Sequence, residues 1–161
     1  MNFFVYILSF FLINFSANAL SIKCQFEEVH QNGDINQGIF FLRNEELRYE
    51  YFDEKLFTIL YANKKLFAVE NTEYRKAQLL ENQDSIIISL LNIYKDFPDI
   101  KKLYQINNGE LIIEKNNNNF IKRIGILTNK MNLSIYFYDC LEIDLNEELF
   151  DFNPFIEYVS N

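Results

Sequence analysis

The side chains able to do covalent or metal chemistry are few and scattered. Cys24 and Cys140 are the only thiols, His30 the only imidazole, and tryptophan is absent. Nucleophilic catalysis needs a base and an orienting acid within reach of the attacking group. His30, beside Asn32-Gly33 in an expected turn, suits a surface histidine better than a general base. No CxxC occurs, so the spacing of redox dithiols and zinc ribbons is missing. Asp139, Glu142, Asp144, Glu147, Glu148, Asp151 and Glu157 crowd the end of the chain with no cation after Lys130, yet the alternating Asp and Gly of a calcium loop are absent. A solvated acidic face is expected there, and the chain is expected to be no enzyme and to hold no metal or cofactor. Lys and Arg total 15 against 23 Asp and Glu, a formal charge of -8. That leaves no basic patch to displace counterions from phosphates, so nucleic acid is not an expected partner.

The cysteines take their meaning from the compartment. Residues 3–15 form an uncharged apolar run that stops at Ser16-Ala17-Asn18-Ala19, with small residues where a signal peptidase reads. Such a run makes about 20 Å of helix, short of the roughly 30 Å hydrocarbon core of a bilayer. A signal peptide over 1–19, cut after Ala19, and one mature domain over 20–161 are expected. Because Met1-Asn2 carry no Lys or Arg, an uncleaved anchor is the alternative. The bulky cation Lys23 before Cys24 is unlike a lipidation site. In an oxidising compartment Cys24 and Cys140 either pair, closing a long loop worth about 4 to 5 kcal/mol, or stay apart as buried thiols; composition does not choose.

The elements that must position these groups read as strands. Hydrophobic residues make up 49% of the chain and aromatics 17%, too apolar for disorder. Short β-rich runs cover 22–29, 39–43, 47–52, 56–62, 66–70 and 74–80, parted by Asn32-Gly33-Asp34, Asn44-Glu45-Glu46 and Asn63-Lys64. A second set covers 103–106, 110–115, 120–128, 133–140 and 149–152, with Asn107-Asn108-Gly109 and the Asn116 to Asn119 run as hairpin loops. About eleven antiparallel strands result. Between the sets, Asp84 or Ser85 caps a short helix through Lys95, stopped by Pro98; Ile87, Leu91 and Tyr94 share one face and Ile86, Leu90 and Ile93 the adjacent one. The Ile86-Ile87-Ile88 run also fits the start of a strand.

Several strands are apolar on both faces. Phe57, Ile59 and Tyr61 oppose Leu56, Thr58 and Leu60, and Ile39 and Phe41 oppose Phe40 and Leu42, whereas Leu133, Ile135 and Phe137 oppose Ser134, Tyr136 and Tyr138 more cleanly. One predicted helix cannot cover two apolar faces. Either one face lines an interior cavity, or two sheets bury each other in a secreted β-sandwich interaction module.

The stretch Gly38-Ile39-Phe40-Phe41-Leu42-Arg43-Asn44-Glu45-Glu46-Leu47-Arg48-Tyr49-Glu50-Tyr51 resembles the signature of the periplasmic outer-membrane lipoprotein carrier family (LolA-like). That signature runs from a glycine through an aromatic and aliphatic strand to Arg-Pro, a turn, then Leu-Arg-aromatic-Glu-Tyr. Residues 58–69 resemble the family's next hairpin, and Glu148-Leu149-Phe150-Asp151-Phe152-Asn153-Pro154 its terminal Phe-x-Phe-x-Pro. Asn44 stands where the family has proline, the strand after Gly38 is one residue shorter, and the amphipathic helix before the first strand is missing or vestigial.

The resemblance implies a mainly β fold, an open, unclosed antiparallel β-barrel with a short helix acting as lid over an apolar cavity. It implies a monomeric periplasmic carrier that takes acylated lipoproteins from an inner-membrane ABC transporter to an outer-membrane receptor. By matching position, Arg43 is the arginine associated with holding the lid closed and Arg48 the arginine before the aromatic. The remaining ligand-binding candidates are Phe41, Tyr49, Tyr51, Phe57 and Ile59 on the first set of strands, Leu90 and Leu91 on the helix, and Ile135 and Phe137 on the second set. Arg43 and Arg48 also stand close enough to Glu45, Glu46 and Glu50 simply to pair with them at a solvated edge.

Overall fold

The computed structural model describes residues 20–71, 77–80, 86–129 and 131–150. The expected signal segment 1–19, the start of the strand expected at 74–80, the capping Asp84 or Ser85 and the last residues of the strand expected at 149–152 lie outside them. The elements are β1 (Ser21–His30), β2 (Ile35–Arg43), β3 (Glu46–Tyr51), β4 (Phe57–Ala62), β5 (Lys65–Glu70), β6 (Ala77–Leu80), α1 (Ile86–Lys95), β7 (Leu103–Ile106), β8 (Gly109–Lys115), β9 (Ile121–Thr128), β10 (Asn132–Glu142) and a 3-10 turn (Glu147–Phe150). His30 therefore closes β1 rather than sitting in the turn. The strand expected to begin at Leu149 is instead part of the 3-10 turn. Asn146 nucleates it, its Oδ1 accepting from Glu148 N at 3.1 Å and its carbonyl from Leu149 N at 3.2 Å.

All ten described strands form one antiparallel sheet in the order β6-β5-β4-β3-β2-β1-β10-β9-β8-β7, with β6 and β7 as its unjoined edges. Two meanders meet at a central seam between β1 and β10, so the stacked sheets of a sandwich are not the architecture. The hairpins follow turn chemistry. Asn63 and Lys64 both take positive φ, 51° and 62°, the geometry of a two-residue hairpin whose twist matches its strands. In the asparagine run, Asn116 Oδ1 accepts from the backbone of Asn118 and Phe120 while Asn119 adopts φ 65°. Gly38 is required for another reason: a Cβ there would collide with the Glu50 carbonyl oxygen across the ladder and with the Phe26 ring.

At the seam, Lys23 faces Leu141 but Gln25 faces Tyr138, so β10 carries one extra residue opposite Cys24. Asp139, at φ 51°, is that residue. Side chains alternate along a strand, so one inserted residue moves everything after it to the other face. The bulge brings Cys140 round to the face of Cys24, and the two form a disulfide with Cα atoms 4.1 Å apart and a sequence separation of 116.

The sheet buries both faces, unequally. One face carries the main core, where Ile22, Phe26, Phe40, Leu47, Tyr49, Ile124, Ile135 and Phe137 pack with α1. The expected short helix is present. Its Ile87, Leu90, Leu91, Ile93 and Tyr94 are buried, roughly 10 kcal/mol of gross apolar burial at about 2 kcal/mol per side chain. At its exit, Tyr104 donates to Asp96 Oδ2 at 2.8 Å and accepts from Lys101 N, tying the segment to β7. The reverse face holds a smaller cluster of Leu60, Ala62, Leu145 and Phe150 with Phe41, Phe67 and Leu149 against it. The double apolarity of β2 and β4 thus arises in part because the 3-10 turn covers their reverse face.

Candidate functional site

The central strands place an aromatic set at the middle of the helix-bearing face. Phe26 of β1 stacks on Tyr49 of β3 with centroids 3.8 Å apart, and Tyr51 meets both edge-on at 5.4 Å. Phe40 of β2 stacks on Tyr94 of α1 at 5.5 Å and meets Phe137 of β10 edge-on at 5.5 Å. Register explains the grouping, since Phe40 is opposite Tyr49 across β2 and β3 while Phe26 is opposite Phe137 across the seam. Offset and edge-on aromatic pairs each add about 0.5–1.5 kcal/mol beyond their burial, so this is a stiff apolar wall.

A polar hub is set into it. Glu28 is only 6% exposed because it occupies the same strand parity as Ile22, Cys24 and Phe26. Its Oε1 accepts from the hydroxyls of Tyr49 and Tyr51, both at 2.9 Å. Its Oε2 lies 3.5 Å from His30 Nε2, which stands 3.0 Å from Asn36 Nδ2. The imidazole therefore offers the carboxylate a positive charge only when protonated. Burial first, and then the Glu28 charge, hold the hydroxyls of Tyr49 and Tyr51 well above the usual tyrosine range. Tyr94 is pushed up by burial alone, and its hydroxyl has no hydrogen-bond partner.

The structure brings together Tyr49, Tyr51, Ile59, Leu90, Leu91, Ile135 and Phe137, seven of the expected ligand residues, in the helix-bearing cluster. Phe57 has the strand parity of Ile59 but is 44% exposed at the margin. Phe41, Arg43 and Arg48 are not brought to this wall. Arg48 lies opposite both Phe41 and Leu60, which places it on the reverse face, where it grips Glu50 Oε2 through Nε and Nη2, both at 2.8 Å. Arg43 contacts Glu46 at 2.7 Å, Glu147 at 3.6 Å and the Phe150 ring at 5.0 Å. Its recorded partners belong to the C-terminal turn and the β2–β3 hairpin rather than to α1. The strand period decides this: with Leu47, Tyr49 and Tyr51 facing α1, Arg48 has to face away.

Glu28, Tyr94, Phe26 and Phe40 are site residues that the sequence reading left out. Glu28 had a signal, a carboxylate on the apolar parity of β1; Tyr94 had one too, a phenol on the helix stripe of Ile87 and Leu91. At the other end of β1, Ser21, Arg43 and Asn44 meet residues 142–147 around an open cleft of about 770 Å³ rimmed by Glu142, Asp144 and Glu147. Among the described residues no three His, Cys, Asp or Glu side chains are grouped to hold a metal ion, and no helix is long and apolar enough to cross a membrane. No family model and no curated protein matches the chain.

Proposed function

We propose that the chain is an exported carrier that shelters acyl chains against the helix-bearing face of its sheet. The observation that carries this reading is the mismatch between that face and its roof. Ten strands at about 4.8 Å spacing make a wall roughly 40 Å across, whereas the ten residues of α1 span about 15 Å. On the β3–β6 arm, Tyr51, Ile59, Tyr61 and Leu80 belong to the apolar cluster yet are only partly buried, with Phe57 exposed beside them. A hydrocarbon chain laid along such a margin gains about 0.8 kcal/mol per buried CH₂. A sixteen-carbon chain would then gain roughly 12 kcal/mol, of the same order as the gross packing of α1, so α1 can act as a lid that a chain displaces. The Cys24–Cys140 bond supports an oxidising compartment such as the periplasm. In this reading the cargo is the acyl portion of lipoproteins, taken from an inner-membrane ABC transporter to an outer-membrane receptor, an assignment supported by the sequence resemblance.

The full chain, produced with residues 1–19 so that it can be exported, is purified from the export compartment and weighed by native mass spectrometry; a delipidated sample is titrated with a fluorescent fatty-acyl probe. Co-purifying acyl masses and saturable probe uptake are expected. A clean apo mass together with no uptake ends the proposal.

A further inference from the structure

Tyr94 is buried to 3% exposure among apolar residues, and its hydroxyl is the one atom of that aromatic set recorded without a hydrogen-bond partner. Phenylalanine would give the same stacking on Phe40 without burying an unpaired donor, a burial that natural cores avoid. The hydroxyl remains a neutral donor, since burial disfavours its ionised form. What a neutral donor in an apolar wall lacks is an uncharged or weakly charged acceptor, carried in by something that is otherwise hydrocarbon.

We propose that Tyr94 is the polar anchor of the apolar ligand site, its hydroxyl donating to the carbonyl oxygen of an acyl ester or a fatty carboxyl group whose chain lies on the helix-bearing face. This rests on the carrier reading and deepens it, naming the atom of the ligand that is recognised. Because Tyr94 rides on α1, the bond forms only when the helix makes room for the ligand, and it then draws the helix back over the chain. Anchoring at one carbonyl also sets how far along the wall the hydrocarbon extends.

The test compares wild type with Tyr94→Phe in displacement of a bound fluorescent acyl probe by three ligands of equal chain length: palmitic acid, methyl palmitate and hexadecane. The variant should bind the acid, the ester or both roughly five- to tenfold more weakly, the value of one net hydrogen bond, and hexadecane equally well. Which of the two oxygenated ligands loses affinity identifies carboxyl or ester as the source of the acceptor. Without ligand, the variant should melt at the same temperature as wild type or higher. An equal change for all three ligands, no change for any, a lower melting temperature or a failure to fold overturns the inference, the last two because the hydroxyl would already be bonded in the free protein. If wild type binds none of the three, the carrier reading itself falls; if it binds them and the variant does not discriminate, only the role of Tyr94 falls.

Discussion

Replacing Cys24 and Cys140 together with alanine removes the covalent tie across the β1–β10 seam. The bond closes a loop of 116 residues, and the entropy withheld from the unfolded chain by such a loop is about 16 cal/mol/K, or roughly 5 kcal/mol at 25 °C. Cys24 is fully buried, so truncating it adds about 1 kcal/mol of lost packing. With an unfolding entropy near 2.1 cal/mol/K per residue over about 130 residues, the combined loss of about 6 kcal/mol lowers the melting temperature by roughly 22 °C. Thermal and urea melts of the double variant, beside wild type with and without reductant, measure this. Reduced wild type should approach the variant's midpoint, and amide exchange should speed up at the seam residues Phe26 and Phe137 before it does so at the sheet edges. A loss below about 1 kcal/mol would refute the reasoning, because it would mean that the hydrogen-bonded ladder holds the two meanders together whether or not the unfolded chain is tethered.

Three further outcomes follow from the geometry. Gly38→Ala forces a methyl group into the Glu50 carbonyl and the Phe26 ring, and should cost 2 kcal/mol or more by urea denaturation, about the upper range for overpacking; a neutral result would mean that β2 and β3 separate easily. Glu28→Leu strands the hydroxyls of Tyr49 and Tyr51 and should cost about 2 to 4 kcal/mol, most of it regained when both tyrosines are also changed to phenylalanine; a triple variant no more stable than the single one would show that the hydroxyls do not depend on Glu28. Tyr49, Tyr51 and Tyr94 hold their protons more tightly folded than unfolded, so the stability they contribute is complete below about pH 10 and is lost as pH rises toward their folded values. Above pH 10 the slope should reach about 4 kcal/mol per pH unit for the three groups, read as denaturant midpoints against pH; tyrosinate absorbance from Tyr49, Tyr51 and Tyr94 appearing near pH 10 in the still-folded protein would contradict it.

Strand positions were legible because turn chemistry punctuates them: Asn63-Lys64 and the asparagine run fall where the hairpins close, and β7 matches its expected limits. The helix was legible from its apolar arc, although Ile86-Ile87-Ile88 alone fits a strand equally well. The disulfide was not. By simple alternation Cys140 falls with Ser134, Tyr136 and Tyr138, away from Cys24, and only the left-handed turn at Asp139 reverses that parity. Apolar residues on both faces of β2 and β4 pointed toward a cavity, whereas Phe41 and Leu60 are covered by Leu145 and Phe150 from more than 80 residues away, a pairing that no local pattern reports. The same distance hid Arg43's partner Glu147, and strand parity puts Arg43 and Arg48 on the face of the sheet away from α1. Of the eleven expected ligand residues seven converge, five because they share the apolar parity of their strands and Leu90 and Leu91 because they lie on the apolar arc of the helix.

The order of the strands also bears on how the molecule is made. β1 and β10 sit side by side at the centre of the sheet, although all the other described strands are synthesised between them. Each meander assembled alone presents a bare backbone edge, β1 in one and β10 in the other, together with a greasy surface awaiting its cover. Productive folding is therefore postponed until the final strand emerges, and contacts of such long sequence separation close slowly. A polypeptide that cannot complete its middle before its last strand arrives stays extended and threadable for most of its synthesis, and in that interval it needs protection from neighbouring chains.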